Sequence, residues 1–252
     1  MEKQTTKKPM MPIGKLLSKS FGIYETLGWK IIGMVILPGL VAAIPLILII
    51  VFYALIRALN PDPSSILTIS YIVLGLLGIV ATIFFLIVSF LANIGAMLLV
   101  RENKPNFKMM EALKMSKKYG WKFLGVVLLT TLFVLLGFVV LIIPGIIIAT
   151  YLSFVSWVVV NENLGGMAAL KRSKELIKGY WWSVFGRQLL VGVVIWIVFA
   201  IPALFITAET TSEDVYDLVT QIASWALTPF SLAFAYYMYK DLLKIKGSAK
   251  SK

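Results

Sequence analysis

Two carboxylates invite a chemical reading before anything else in this chain. Glu102 stands in Arg101-Glu102-Asn103 and Glu162 in Asn161-Glu162-Asn163, each directly after a long apolar run. Paired carboxylates can share acid and base roles or hold a cation. The competing reading is a solvated helix end whose carboxylate pairs with a neighbouring lysine. The sequence contains no Cys and no His, which removes disulfides, thiolate or imidazole metal ligation, His-activated nucleophiles and imidazole proton relays. No enzymatic activity, cofactor or metal is therefore expected. Asn93 and Gln221 are the clearest polar residues within apolar runs, with Ser89, Thr130, Thr131 and Thr228 also in such runs. They either bond between helices, with Gly75, Gly78 and Gly95 allowing close approach, or line a solute path at helices broken or kinked by Pro38, Pro45, Pro202 and Pro229. No ionisable residue falls near the middle of an apolar run, where ion-coupled transporters carry theirs.

A membrane must position these residues. The 252 residues are 60% hydrophobic and only 14% charged, against about 25% charged in ordinary soluble domains. Apolar runs at 31–56, 66–100, 123–143, 146–160, 184–206 and 215–239 predict an all-α polytopic bundle of about six membrane helices in a single domain over 1–252. The runs are continuous, without the alternation of barrel strands. Basic tails are expected at 1–10 and 246–252.

Charge sets the expected topology. Four segments, before the first run and after the second, fourth and sixth, hold 23 of the 24 Lys and Arg residues. The loop TAETTSEDVYD after the fifth run is acidic. The positive-inside rule puts the four basic segments and both termini in the cytoplasm, with the chain in the cell membrane. Aromatic residues are not interleaved with the lysines on a soluble platform, so anionic lipid, and not nucleic acid, is the expected polyanion. Basic segments at 101–122 and 161–187 share a side, so the chain between them crosses an even number of times. Pro144-Gly145 then reads as the turn of a tight hairpin, Pro ending one helix and Gly supplying permissive dihedrals. A hairpin that dips part-way and returns has the same parity.

Three cytoplasmic segments share a pattern: 16–33, 112–125 and 169–186. Leu17, Ser20, Trp29 and Gly33 match Leu170, Ser173, Trp182 and Gly186 at identical spacing, while Leu113 and Ser116 reach Trp121 and Gly125 four residues sooner. Each places a serine in an apolar stripe with basic residues opposite, which describes an amphipathic helix at the interface ahead of a transmembrane hairpin. The expected units are about 11–103, 104–163 and 164–245. Ser20, Ser116 and Ser173 should face protein, and Lys171, Arg172 and Lys174 should meet anionic headgroups.

From Leu136 to Gly186 the Ile-Pro-Gly turn, Glu162, Ala169-Leu170 followed by Ser173, and Gly179-Tyr180-Trp181-Trp182 resemble the membrane domain named after glycerophosphoryl diester phosphodiesterases and related prokaryotic polytopic proteins. The resemblance implies a membrane module. It carries no catalytic residues here, because the enzyme's soluble barrel needs about 250 residues of its own. Two functions are expected from different classes. The first is a scaffold or envelope-maintenance module engaging lipid, a membrane-protein partner or a second copy of itself. The other is a permease for a small solute or lipid, alone or as a transporter subunit.

Overall fold

A computed structural model describes residues 8–59, 66–205 and 213–250. The NPDPSS turn at 60–65, residues 206–212 of the acidic loop and the chain ends at 1–7 and 251–252 lie outside the described residues. The helices are α1 (Ile13–Phe21), α2 (Ile23–Thr26), α3 (Gly28–Leu59), α4 (Ile66–Glu102), α5 (Met109–Val140), α6 (Ile142–Leu152), α7 (Val155–Glu162), α8 (Gly166–Ile177), α9 (Trp181–Phe205) and α10 (Glu213–Lys250). No strand occurs among the described residues. Among the described residues, six segments are long and apolar enough to cross a membrane: Gly28–Leu55, Ile72–Glu102, Met109–Val140, Ile142–Glu162, Trp181–Ala200 and Val215–Gly247. The chain is an all-α helical membrane protein.

Most of the burial lies at one end of this bundle, with Gly137, Gly145 and Thr150 buried at the α5–α6 hairpin. The buried apolar residues run from Met10 to Met34, Ala92 to Val100, Ala112 to Val126, Phe154 to Val160, Ala169 to Val191 and Phe230 to Leu242. These are the stretches nearest the basic segments. Further along the same helices, Leu48, Ile72, Leu128, Val139, Trp196 and Leu218 are exposed, as side chains facing hydrocarbon would be. At 1.5 Å per residue the 38-residue α10 is about 57 Å long, well beyond ~30 Å of hydrocarbon. Its surplus lies at the basic end, where Ala233, Phe234, Met238, Tyr239 and Leu242 are enclosed by the other helices. Residues 246–250, expected in a loose basic tail, continue α10 as helix. Lys8–Met10 are likewise held, since Lys8 O accepts from Tyr180 OH and Met10 is buried.

The amphipathic segments do not all form separate interfacial helices. In the first, Gly22 and Leu27 divide α1, α2 and α3. α1 lies lengthwise against α10: the Met11 N–H donates to Asp241 at 2.7 Å, Phe21 stacks on Phe230 at 4.7 Å and Tyr24 OH bonds the Ala226 carbonyl. Partners on α10 retreat as the chain advances, so α1 and α2 run antiparallel to it. Burial raises the Tyr24 phenol above its ordinary pKa, with a weaker opposing effect from a Phe230 backbone bond, so it remains a neutral donor. In the third segment Lys178, Gly179 at φ +90° and Tyr180 separate α8 from α9. The second has no joint. Missing about one helical turn, it runs straight on as α5, with Gly120 inside the helix.

The hairpin also turns at a different residue from the one expected. Leu141, extended at φ −167° and ψ 156°, separates α5 from α6, and Pro144 and Gly145 lie within the first turn of α6. Proline is tolerated there because the first-turn N–H groups have no helical acceptor. Gly145 serves approach and not dihedral freedom: a Cβ on it would sit 2.6 Å from the Phe138 ring, and one on Gly137 would sit 3.0 Å from the Gly145 Cα. Pro38 and Pro45 lie inside an uninterrupted α3 and Pro229 inside α10, so helix breaks at those prolines are absent. Gly95 packs on Met34 as expected, whereas Gly75 and Gly78 face open space.

Gly145→Ala should destabilise the protein by about 1–3 kcal/mol through overpacking. Ile143→Ala, at a tip position 70% exposed, should change stability by less than about 0.5 kcal/mol. Thermal unfolding in detergent distinguishes them.

Candidate functional site

The two glutamates end their helices in the same way. Asn103 and Asn163 adopt left-handed conformations, φ 47° and 55°, and return N–H bonds of 3.0 Å to Leu99 O and Val159 O. Asparagine is among the few non-glycine residues that tolerate this cap. Each preceding glutamate is thereby set at a helix C-terminus, where a carboxylate is disfavoured by the helix dipole and calls for a cation.

Arginine supplies that cation in both cases. Arg101 donates to Glu102 at 2.7 and 3.0 Å, and its Nη1 reaches Tyr119 OH and Val160 O. Glu162 accepts from Arg172 Nε at 2.8 Å on one oxygen and from Tyr239 OH at 2.9 Å on the other. The second group therefore joins α7, α8 and α10. Tyr236 OH donates to Arg101 O, which ties α10 to α4 as well. Glu102 is engaged through one oxygen and Glu162 through both, and no group of three metal-binding side chains occurs among the described residues. Lysine is not the partner of either glutamate. Arg172, grouped by sequence with Lys171 and Lys174 as a headgroup contact, is committed to Glu162 instead, while those two lysines are exposed.

The serines all face protein. Ser20, Ser116 and Ser173 have no exposed surface. Ser20 donates to Leu16 O and Ser116 to Leu113 O within their own helices, whereas Ser173 crosses to Tyr151 O, each at 2.8 Å. The tryptophans do the reverse: Trp29, Trp121 and Trp182 are 84%, 86% and 78% exposed. Indoles presented outward beside lysines suit the membrane interface. Arg187 turns inward to Met11 O at 2.7 Å and does not extend to the headgroups.

Asn93 and Gln221 meet across a groove. They line one cavity of about 550 Å³ between α3, α4 and α10, with Pro38, Ser89, Trp225 and Thr228. Thr130, by contrast, has a buried hydroxyl without a partner among the described residues. The cavity lies away from the glutamates, sharing α4 with Glu102 and α10 with Tyr239.

Comparison with known families adds one match. Residues 119–242 are similar to the family described as a domain of unknown function (DUF7847). The matched stretch begins at Tyr119, which bonds Arg101, and ends at Leu242, so it contains Glu162, Arg172, Ser173 and Tyr239. No curated protein and no solved structure matches the chain.

Sequence reasoning missed Tyr236 and Tyr239, because the aromatic run Ala235-Tyr236-Tyr237-Met238-Tyr239 reads as the end of an apolar span. The signal was present: Ala233, Tyr236, Tyr239 and Leu242, spaced by three and all buried, trace one helical face. Tyr239→Phe should cost about 1.5–3 kcal/mol, the range for a hydrogen bond to a charged group. Ser173→Leu should cost about 1–3 kcal/mol by overpacking, and Ser173→Ala only about 0.5–1.5 kcal/mol. Chemical or thermal unfolding of purified protein measures each.

Proposed function

We propose that this protein is a non-enzymatic membrane module whose basic end engages anionic lipid headgroups and holds the surrounding membrane or a partner in register. The observation that carries this reading is the pairing of exposed lysines with exposed tryptophans on a densely packed support. Lys171 and Lys174 lie on the α8 face opposite the buried Leu170, Ser173 and Ile177, and Lys117 and Lys118 stand close in sequence to Trp121 on α5. A fixed array of ammonium groups at the headgroup level attracts phosphate at about 1 kcal/mol per lysine. The engagement of both oxygens of Glu162, and of Glu102 with Arg101, supports a structural role for these two matching helix ends over a catalytic one.

Placement in the cell membrane with both termini in the cytoplasm follows from the charge asymmetry under the positive-inside rule. The three matched segments support an internal repeat in which the second unit has lost its joint. The likeness to the membrane domain of glycerophosphoryl diester phosphodiesterases rests on the residues between Leu136 and Gly186, and supports a membrane module without hydrolytic activity. A second reading, a permease for a neutral solute or lipid, is favoured by one observation: Asn93, Gln221 and Pro38 line a common cavity.

Replacing Lys171 and Lys174 together by Gln should weaken anionic-lipid binding by about 2 kcal/mol, roughly thirtyfold, at low salt. Thermal unfolding with and without added phosphatidylglycerol reads this as a smaller lipid-induced rise in Tm. An equal rise in the variant and the parent overturns the proposal.

A further inference from the structure

The groove between α3, α4 and α10 has a chemistry of its own. We propose that it binds the uncharged, hydroxyl- and ester-bearing head of a neutral lipid of the diacylglycerol class, with an acyl chain lying in the adjoining slot between α3 and α4. This site is independent of the basic end.

Several polar side chains of this groove are without protein partners among the described residues, and Asn93 and Gln221 are open to whatever fills it. The Asn93 carboxamide, the Ser89 hydroxyl and the Trp225 indole N–H line it, and none has a hydrogen-bond partner among the described residues. Gln221 makes one long 3.4 Å contact to Ser224, and only Thr228 is well satisfied, donating to Ser224 O at 2.8 Å. In contact with hydrocarbon such groups are costly unless something bonds to them. Asn and Gln each offer donors and an acceptor, Ser offers both, and Trp offers a donor. That mixture matches hydroxyls and ester carbonyls.

Charge and depth narrow the class. No Lys, Arg, Asp or Glu lines the cavity, so a phosphate or ammonium brought into it would lose its hydration without a counter-ion. Asn93 lies eight residues before Arg101 on α4, about 12 Å along the helix. A charged head would have to leave the headgroup layer to reach that depth, whereas a small neutral head need not.

The adjoining slot accounts for the tail. A second cavity, about 710 Å³, shares Gly39 and Phe85 with the first and continues past Ala42, Leu46, Gly75 and Gly78. Gly39, Gly75 and Gly78 have nothing within 4 Å of where a Cβ would stand. These glycines make an open apolar floor leading away from the polar cavity, in the order head then chain that an amphiphile entering from the bilayer requires.

The full chain in phosphatidylcholine vesicles, irradiated with a photoreactive diacylglycerol and mapped by peptide mass spectrometry, tests the assignment. Adducts are expected on residues 85–93 and 221–228, displaced by unlabelled diacylglycerol but not by glycerol or phosphatidylglycerol. Asn93→Leu and Trp225→Phe should each lower labelling about tenfold, as loss of a hydrogen bond to a desolvated group does. Lys171→Gln with Lys174→Gln should leave it unchanged, which separates this site from the basic end. Should Asn93→Leu fail to fold, Trp225→Phe and the map on the parent chain decide. Adducts spread over all the lipid-facing helices, or labelling indifferent to Trp225→Phe, overturn the proposal. So does competition by glycerol alone, which would mean a water-facing polyol site, or equal competition by phosphatidylglycerol.

Discussion

The enclosure of α10 between residues 230 and 242 holds the rest of the molecule together. Hydrocarbon offers no hydrophobic driving force between membrane helices, because lipid tails are as apolar as leucine. A bundle of this kind needs a region where packing and polar bonding add something lipid does not, and here that region is the basic end. Phe154 and Tyr239 pack as rings 6.2 Å apart, Trp157 and Tyr236 as rings 5.0 Å apart, and the tyrosine hydroxyls reach Glu162 and Arg101 O beyond them. Each ring supplies apolar area and each hydroxyl closes a polar bond that lipid could not make.

Two kinds of helix contact follow from that division. At the basic end, side chains from six or more elements interlock and small polar groups such as Ser173 find partners, here Tyr151 O. Away from it, contacts reduce to pairs, such as α5 with α6 through Gly137 and Gly145. The groove opens where α3 and α4 leave the enclosed region and their small residues have nothing to pack on. The open groove and the dense core thus belong to the same helices, enclosed at one end and lined by small residues further along.

The sequence disclosed the parts of this arrangement that composition and period encode. Continuous apolar runs located the six spans but not all their ends, since the third span begins at Met109, inside the basic segment, and the sixth continues to Gly247; the wheel position of Ser20, Ser116 and Ser173 indicated their burial. Matched Asn103 and Asn163 marked equivalent helix ends. What escaped was tertiary. Leu141 looks like any other apolar residue, so nothing local favoured it over Pro144-Gly145 as the turn. Phe138 takes the space that makes Gly145 necessary, and that requirement appears only when α5 and α6 are side by side. Arg172 sits on a basic helix face, and only the approach of α7 draws it to Glu162. The placing of Asn93 and Gln221 on one cavity, with 127 residues between them in sequence, likewise depends on how α10 returns.

One consequence concerns the order in which the chain is made. α1 and α2 emerge first, yet their partners Ala226, Phe230 and Asp241 emerge about 200 residues later. At typical synthesis rates of about 5–20 residues per second, this leaves the first amphipathic segment without its mate for roughly 10–40 s. During that interval its apolar stripe must be sheltered by the membrane surface or by a chaperone. The same stripe thus has two successive neighbours, lipid while the chain is being translated and α10 once it is whole.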